Sequence, residues 1–166
     1  NIVDLLYAPL SAAEVTISIS LAAVTRSFMI AIISIVIFIL ILNIQIQQYF
    51  TLFIFTFLSS FILGNVGIIA GLWAEKFDHM ASVTNFVIIP LSFLSGTFYT
   101  IDKLPIFLQN ISKLNPFFYM IDGFRYSFIG NSDSSITIGI AYLSILSLIS
   151  WFAAYLLFKK GYKIKS

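Results

Sequence analysis

Few residues in this chain are of a type that does chemistry, and their spacing narrows the field further. There is one histidine and no cysteine, so no thiolate nucleophile, disulfide or cysteine-based metal site is available. His79 falls in the charged run Glu75-Lys76-Phe77-Asp78-His79. No second ligand stands near it at metal spacing, and no serine–histidine–carboxylate set can be built around it. No glycine-rich loop ends in Lys-Ser or Lys-Thr, so the chain has no phosphate cradle with which to hydrolyse ATP. Asp122 and Arg125 do suggest a joint role, because they lie at i and i+3 on an expected helix. Such a pair orders a short helix locally, and in a partly buried membrane site it is also a candidate for gating substrate passage. No catalytic residue, metal ligand set or cofactor is expected on this chain.

The elements that must hold these residues are set by composition. Of the 166 residues, 60% are hydrophobic and 10% charged, whereas soluble domains are about 45–50% apolar and about 25% charged. One core of this size cannot hide that much apolar surface, so the natural solvent is lipid. The net charge of +2 is too small to suggest nucleic-acid binding. Apolar runs between charge clusters predict four membrane-spanning helices, over about 22–43, 51–74, 80–101 and 134–158. The first is reached by extending the uncharged run from Ser27 back past Arg26 toward Ala22, which sets Arg26 near the cytoplasmic end, its guanidinium snorkelling to the interface. The third is interrupted by Pro90, Ser92, Ser95 and Gly96, a hinge or a kink satisfied by neighbouring hydroxyls. Gly64, Gly67 and Gly71 give small-residue spacing for close helix contact.

Lysines orient the chain. Lys159, Lys160, Lys163 and Lys165 crowd the tail, 159–166, and the positive-inside rule puts it in the cytoplasm. Four crossings then place the N-terminal end and the loop holding His79 on the same side. The stretch 102–133 must lie outside. It is too apolar for a solvated loop, and Leu104, Phe107, Leu108 and Ile111 form a helical stripe. Asn115 and Pro116 read as N-cap and first position of a second short helix. Two short helices that dip into the membrane or lie at its outer face fit best. At the other end, Asp4-Leu5-Leu6-Tyr7-Ala8-Pro9-Leu10 is a short amphipathic element broken at Pro9. Ser11 and Glu14 form a capping box that starts the next helix.

Together these segments resemble the ABC-2 type permease family, the membrane subunits of ATP-driven exporters. The resemblance is carried by Ile89-Pro90-Leu91-Ser92-Phe93-Leu94-Ser95-Gly96-Thr97-Phe98-Tyr99, then Leu104-Pro105, then Asn115-Pro116-Phe117-Phe118-Tyr119 with Asp122 and Arg125. Residues 5–11, Leu-Leu-Tyr-Ala-Pro-Leu-Ser, look like the family's cytoplasmic coupling segment, assigned here to 1–14 with Asp4, Leu5, Leu6, Tyr7, Pro9, Ser11 and Glu14. The likeness is nearest to bacterial multidrug- and nodulation-factor-like export permeases. It implies an all-α multi-pass inner-membrane subunit of about six spans. Four are present here, with short outer re-entrant helices between the last two, so the chain is expected to be an N-terminally truncated piece, 1–166, of a longer domain. It also implies a separate ABC ATPase that holds the ATP and Mg, and a second permease copy in a homodimer or heterodimer, all within membrane lipid. Pro90, Gly96, Tyr99, Pro105, Asn115, Pro116, Tyr119, Asp122 and Arg125 become the outer gate or family-motif residues.

Two other classes remain in view. A secondary transporter or channel driven by an ion gradient usually places ionisable residues near the bilayer midplane, and the expected spans have none at their centres. An intramembrane enzyme would need clustered histidines or carboxylates at one membrane face, which the sequence does not supply.

Overall fold

The computed structural model describes residues 10–74, 77–97 and 105–160. Among them every regular element is helical. The first, α1, spans Ala12–Leu42. It starts on the expected capping box: the Ser11 hydroxyl accepts from the Glu14 amide, and Glu14 Oε2 accepts from the Ser11 amide at 2.7 Å. It ends at Asn43, whose left-handed backbone (φ 50°) is tolerated because Asn visits that region more readily than other non-glycine residues. Helix α2 spans Tyr49–Trp73 and α7 spans Ile136–Lys159. Among the described residues these three helices are long and apolar enough to cross a membrane.

The third apolar run behaves differently. It folds as α3, Phe77–Val83, a π-helical turn, Thr84–Ile88, and α4, Ile89–Phe93. The expected span over 80–101 is thus helical only as far as Phe93 among the described residues. Pro90 explains the π turn. It has no N–H, and its ring would strike the carbonyl four residues back. Shifting Ile89 N–H onto the Thr84 carbonyl widens the ladder just where the ring must fit. The Ser92 hydroxyl then donates to the Ile88 carbonyl at 2.9 Å. The helix stops in a turn ending at Gly96, whose φ of 77° favours glycine. Two shorter helices follow, α5, Ile106–Leu114, and α6, Pro116–Ile129.

Helix α2 is central, packed on α1, α6 and α7. Its buried Phe55, Leu58 and Ile62 meet Phe118, Tyr119 and Met120 of α6 and Leu143 of α7. Where the surroundings are lipid, apolar side chains gain little from leaving them, so small residues and interhelical hydrogen bonds decide the contact. The α1–α2 seam has both. The Ser20 hydroxyl lies 2.8 Å from Asn65 Oδ1 and 2.8 Å from the Thr16 carbonyl, with Ser20 and Asn65 fully buried. At Gly64 an added Cβ would stand 3.0 Å from that of Ala23. Gly67 and Gly71, expected to share this role, have nothing within 4 Å of an added Cβ, so among the described residues only Gly64 of the three sits at a close crossing.

The same seam sets the level of Arg26 against α2. Helix α1 begins at Ala12, ten residues before the expected span. Ser20 beside Asn65, Ala23 beside Gly64 and the Phe28 ring 5.2 Å from that of Phe53 fix an antiparallel register. Arg26 follows Ser20 by six residues and Ser59 precedes Asn65 by six, so the two are level. Arg26 is therefore near the middle of α2, not near an end.

Candidate functional site

The motif residues that sequence reading spread over 89–125 come together at the end of the bundle where α1 stops and α2 starts. Helix α4 terminates there, and the last carbonyls of any helix need outside partners. Here α5 and α6 supply them. Asn115 Nδ2 donates to the Leu91 carbonyl at 2.6 Å, and the Ser112 hydroxyl to that of Leu94 at 3.1 Å. Ser95 and Thr97 hydroxyls donate to the Ser92 carbonyl. Asn115 also caps α6 as expected, its Oδ1 accepting from the Phe117 amide at 3.0 Å, with Pro116 at the first helical position. Pro105 precedes α5 and accepts on its carbonyl from the amides of Leu108 and Gln109.

Asp122 and Arg125 form a clamp more than a local pair. Their i,i+3 contact is 3.9 Å, near the limit of an ion pair. The nearer carboxylate to Arg125 is Asp133, at 2.6 Å. The guanidinium's second arm donates to the Gly96 carbonyl at 2.6 Å. Its planar fork serves both at once, which a lysine could not. Asp122, 2% exposed, accepts from the Asp133 amide at 2.7 Å and from the Ser134 amide and hydroxyl at 3.0 and 2.8 Å. Burying a carboxylate is costly unless its lone pairs are filled, and three donors fill them. The clamp thus joins the turn after α4, the face of α6 and the lead-in to α7. Asp133 and Ser134 were missed as site residues; the one signal available was the balance of Asp133 against nearby basic charge.

Tyr119 lies inside this region, its ring 4.8 Å from Tyr142, whose hydroxyl donates to the Leu114 carbonyl at 2.7 Å. Burial first, then Tyr142 and Asp122, hold the Tyr119 phenol above its usual range, so it stays a neutral hydroxyl. On the opposite side α6 ends at Gly130, φ 78°. The last-turn carbonyl of Ser127, a buried residue, accepts from the amides of Gln47 and Gln48, tying the α1–α2 loop to the same assembly. At the far end of α2 the His79 ring lies 5.4 Å from that of Trp73. Of the residues assigned to the coupling segment, Ser11 and Glu14 form the capping box that starts α1. Asp4, Leu5, Leu6, Tyr7 and Pro9 lie outside the described residues, as does Tyr99 of the gate set.

This arrangement is a mechanical joint. Among the described residues its carboxylates are engaged by amides, a hydroxyl and a guanidinium. Comparison with known proteins bears on the family. Residues 1–129 match the family described as ABC-2 type transporter. The chain is 29% identical over 166 residues to "Inner membrane transport permease YadH" of Escherichia coli K12, covering 100% of this chain and 65% of that protein. It is 25% identical over 96 residues to "Nodulation protein J" of Rhizobium leguminosarum bv. viciae, covering 58% and 37% of the two. Against the protein of that name in Neorhizobium galegae it is 23% identical over 103 residues, covering 62% and 39%. No solved structure matches.

Proposed function

This chain belongs to the ABC-2 type transporter family, and on that premise we propose that it is a permease subunit of an ATP-binding-cassette exporter in the bacterial inner membrane. It would move substrate outward using ATP hydrolysed on a separate ATPase subunit, which also holds the Mg, and would work with a second permease copy. The observation that carries this reading is α1. It runs unbroken for 31 residues from the capping box at Ser11 to the outer loop, about 46 Å. A push delivered to its start is passed along a stiff rod. Through Ser20–Asn65 the push reaches α2, and through α2 it reaches α6 and the clamp.

In this mechanism the segment Asp4–Glu14 receives the motion of the ATPase. Helices α5 and α6 form the outer gate, with Tyr119, Asp122 and Arg125 bracing it. The helical stretch 77–93 acts as a fourth crossing, shortened on its outer side, and both ends of the chain face the cytoplasm. The relatives are longer than this chain, so further spans would complete the pathway. An ion-gradient carrier is the alternative, and Arg26 does not favour it, because a guanidinium does not release its proton at physiological pH.

The test is a pull-down from detergent of the full-length protein, tagged on its lysine tail. Recovery of a stoichiometric soluble ATPase whose turnover changes on association is the expected result. A protein that emerges alone and carries an ion-gradient-dependent flux in liposomes would overturn the reading.

A further inference from the structure

The interrupted helix 77–93 joins two bodies of the molecule. Its outer end is fastened to the clamp side. Asn115 holds the Leu91 carbonyl, Ser112 that of Leu94 and Arg125 that of Gly96. Its other end packs on α2 through α3, where the His79 ring meets that of Trp73. Between the two ends lies the π turn, Thr84–Ile88, in which the Ile89 amide reaches back five residues to the Thr84 carbonyl. Such a turn holds one residue more than an α-helix between the same flanking faces.

The π and α registers are close in hydrogen bonding. The amide donors are the same in either, because Pro90 has no N–H to give. Two hydroxyls already serve carbonyls beside the turn. That of Thr84 donates to Met80 at 3.2 Å and that of Ser92 to Ile88 at 2.9 Å, and such bonds let a helix bend. What favours the π register is the Pro90 ring, which in an α ladder would strike the Phe86 carbonyl. One ring therefore separates two arrangements of the same donors, and this is the form a bistable element takes.

We propose that the π turn at Thr84–Ile88 is a rotary pivot with two registers. In the second register the turn closes to an α ladder. Helix α3 then turns by about 100° and shifts by about 1.5 Å against a fixed α4. The Pro90 ring is the spring that restores the π turn. Motion arriving at the cytoplasmic end of the stretch is thus converted into rotation of α3, while the outer turn at Gly96 stays clamped. The inference rests on the exporter reading for what drives the pivot; the two registers are a property of the helix itself.

The experiment places spin labels at Ser82→Cys in α3 and Ile129→Cys in α6. It uses the full-length permease without other cysteines, diluted with unlabelled copies in nanodiscs. Pulsed electron resonance reads the distance between the labels, with the ATPase nucleotide-free and then vanadate-trapped. Trapping should shift that distance by about 5–10 Å, the swing of a side chain on a helix turned through this angle. Pro90→Ala keeps the residue count and removes the ring, so it should show the trapped distance without nucleotide. Deleting Phe86 together with Pro90→Ala removes the extra residue and leaves the flanking faces as they are. This shortened variant should hold the nucleotide-free distance throughout and melt near wild type, yet lose about tenfold or more of its export per ATP hydrolysed. An unchanged distance on trapping wild type, or a shortened variant that exports as wild type does, would overturn the pivot. The two variants are compared without any ATPase. If none is recovered, the exporter reading falls by itself, and equal distances in the two variants would still overturn the pivot while different ones uphold it. Should the shortened variant not fold, the distance in Pro90→Ala against wild type decides alone.

Discussion

The ring of Phe55 lies so close over Gly123 that a Cβ at that position would fall within it. Phe55 is 1% exposed and is central to the cluster that joins α2, α6 and α7. Among the contacts that seat the outer helix on the spanning bundle, the closest sets one aromatic ring against one missing side chain. The same ring also lies against Gly139, where a Cβ would stand 3.3 Å from Phe55 Cζ.

Gly123→Ala should accordingly destabilise the docking of α6 by about 1–3 kcal/mol, the usual range for overpacking. Gly139→Ala should do less, since its contact yields by a few tenths of an ångström. Pairing Gly123→Ala with Phe55→Leu should recover part of the loss, because the two occupy one space. Thermal melting in detergent measures all of these. Equal melting of Gly123→Ala and wild type would remove Phe55 from its place in the account.

The clamp predicts an asymmetry between its two acidic members. Asp122→Ala strands two amides and a hydroxyl that are largely shielded from water, at about 1–3 kcal/mol for each unsatisfied buried group. Asp133→Ala removes one arm of Arg125 but leaves the arm to Gly96 intact, so it should cost less. Arg125→Lys should behave much as Asp133→Ala, because one ammonium cannot span both the Asp133 carboxylate and the Gly96 carbonyl. Amide hydrogen exchange at 94–97 and 133–136 should quicken most in Asp122→Ala. Faster exchange in Asp133→Ala than in Asp122→Ala would contradict the ranking.

What sequence could and could not reveal follows from the range of each interaction. Ser11 with Glu14, and Asn115 with Pro116, were legible because a cap acts within three residues. The spans of α2 and α7 were legible because apolarity is a property of the run itself. Arg125's partnership with Asp133 crosses a loop, and Phe55 over Gly123 joins distant segments, so neither leaves a local pattern. The level of Arg26 against α2 was illegible for the same reason. The helix start at Ser11 was legible, but the register of α1 with α2 that sets this level joins residues about 40 apart in sequence. In the third run the apolar composition extends to residue 101, but the Gly96 turn ends the helix earlier, a backbone event that hydropathy does not record.

The α1–α2 seam makes three glycines separable. Gly64→Leu should disrupt the seam, since even a Cβ there would crowd Ala23, whose own methyl cannot move aside. The same change at Gly67 or Gly71 meets open space and should leave the melting temperature nearly unchanged. Asn65→Leu should cost about 1 kcal/mol, the usual scale of an interhelical hydrogen bond in membranes. Ser20 retains the Thr16 carbonyl in that variant, which limits the loss.

The cap at Ser11 separates coupling from folding. Helix α1 is held to α2 from Thr16 and Ser20 onward, with both side chains fully buried. Loss of the cap, about 1 kcal/mol, therefore frays the first turn without releasing the rest. If the first turn delivers the motion of the ATPase, Ser11→Ala should lower transport per ATP hydrolysed while melting stays close to wild type. Glu14→Gln should be milder, because glutamine serves the same position of a capping box. Deleting Leu5–Leu10 should go further, leaving ATP turnover and a folded membrane part but little export. Flux and ATP hydrolysis measured together in proteoliposomes distinguish these outcomes. Transport that survives the deletion would mean that the ATPase acts on another part of the chain, and the stiffness of α1 would then lose its functional meaning.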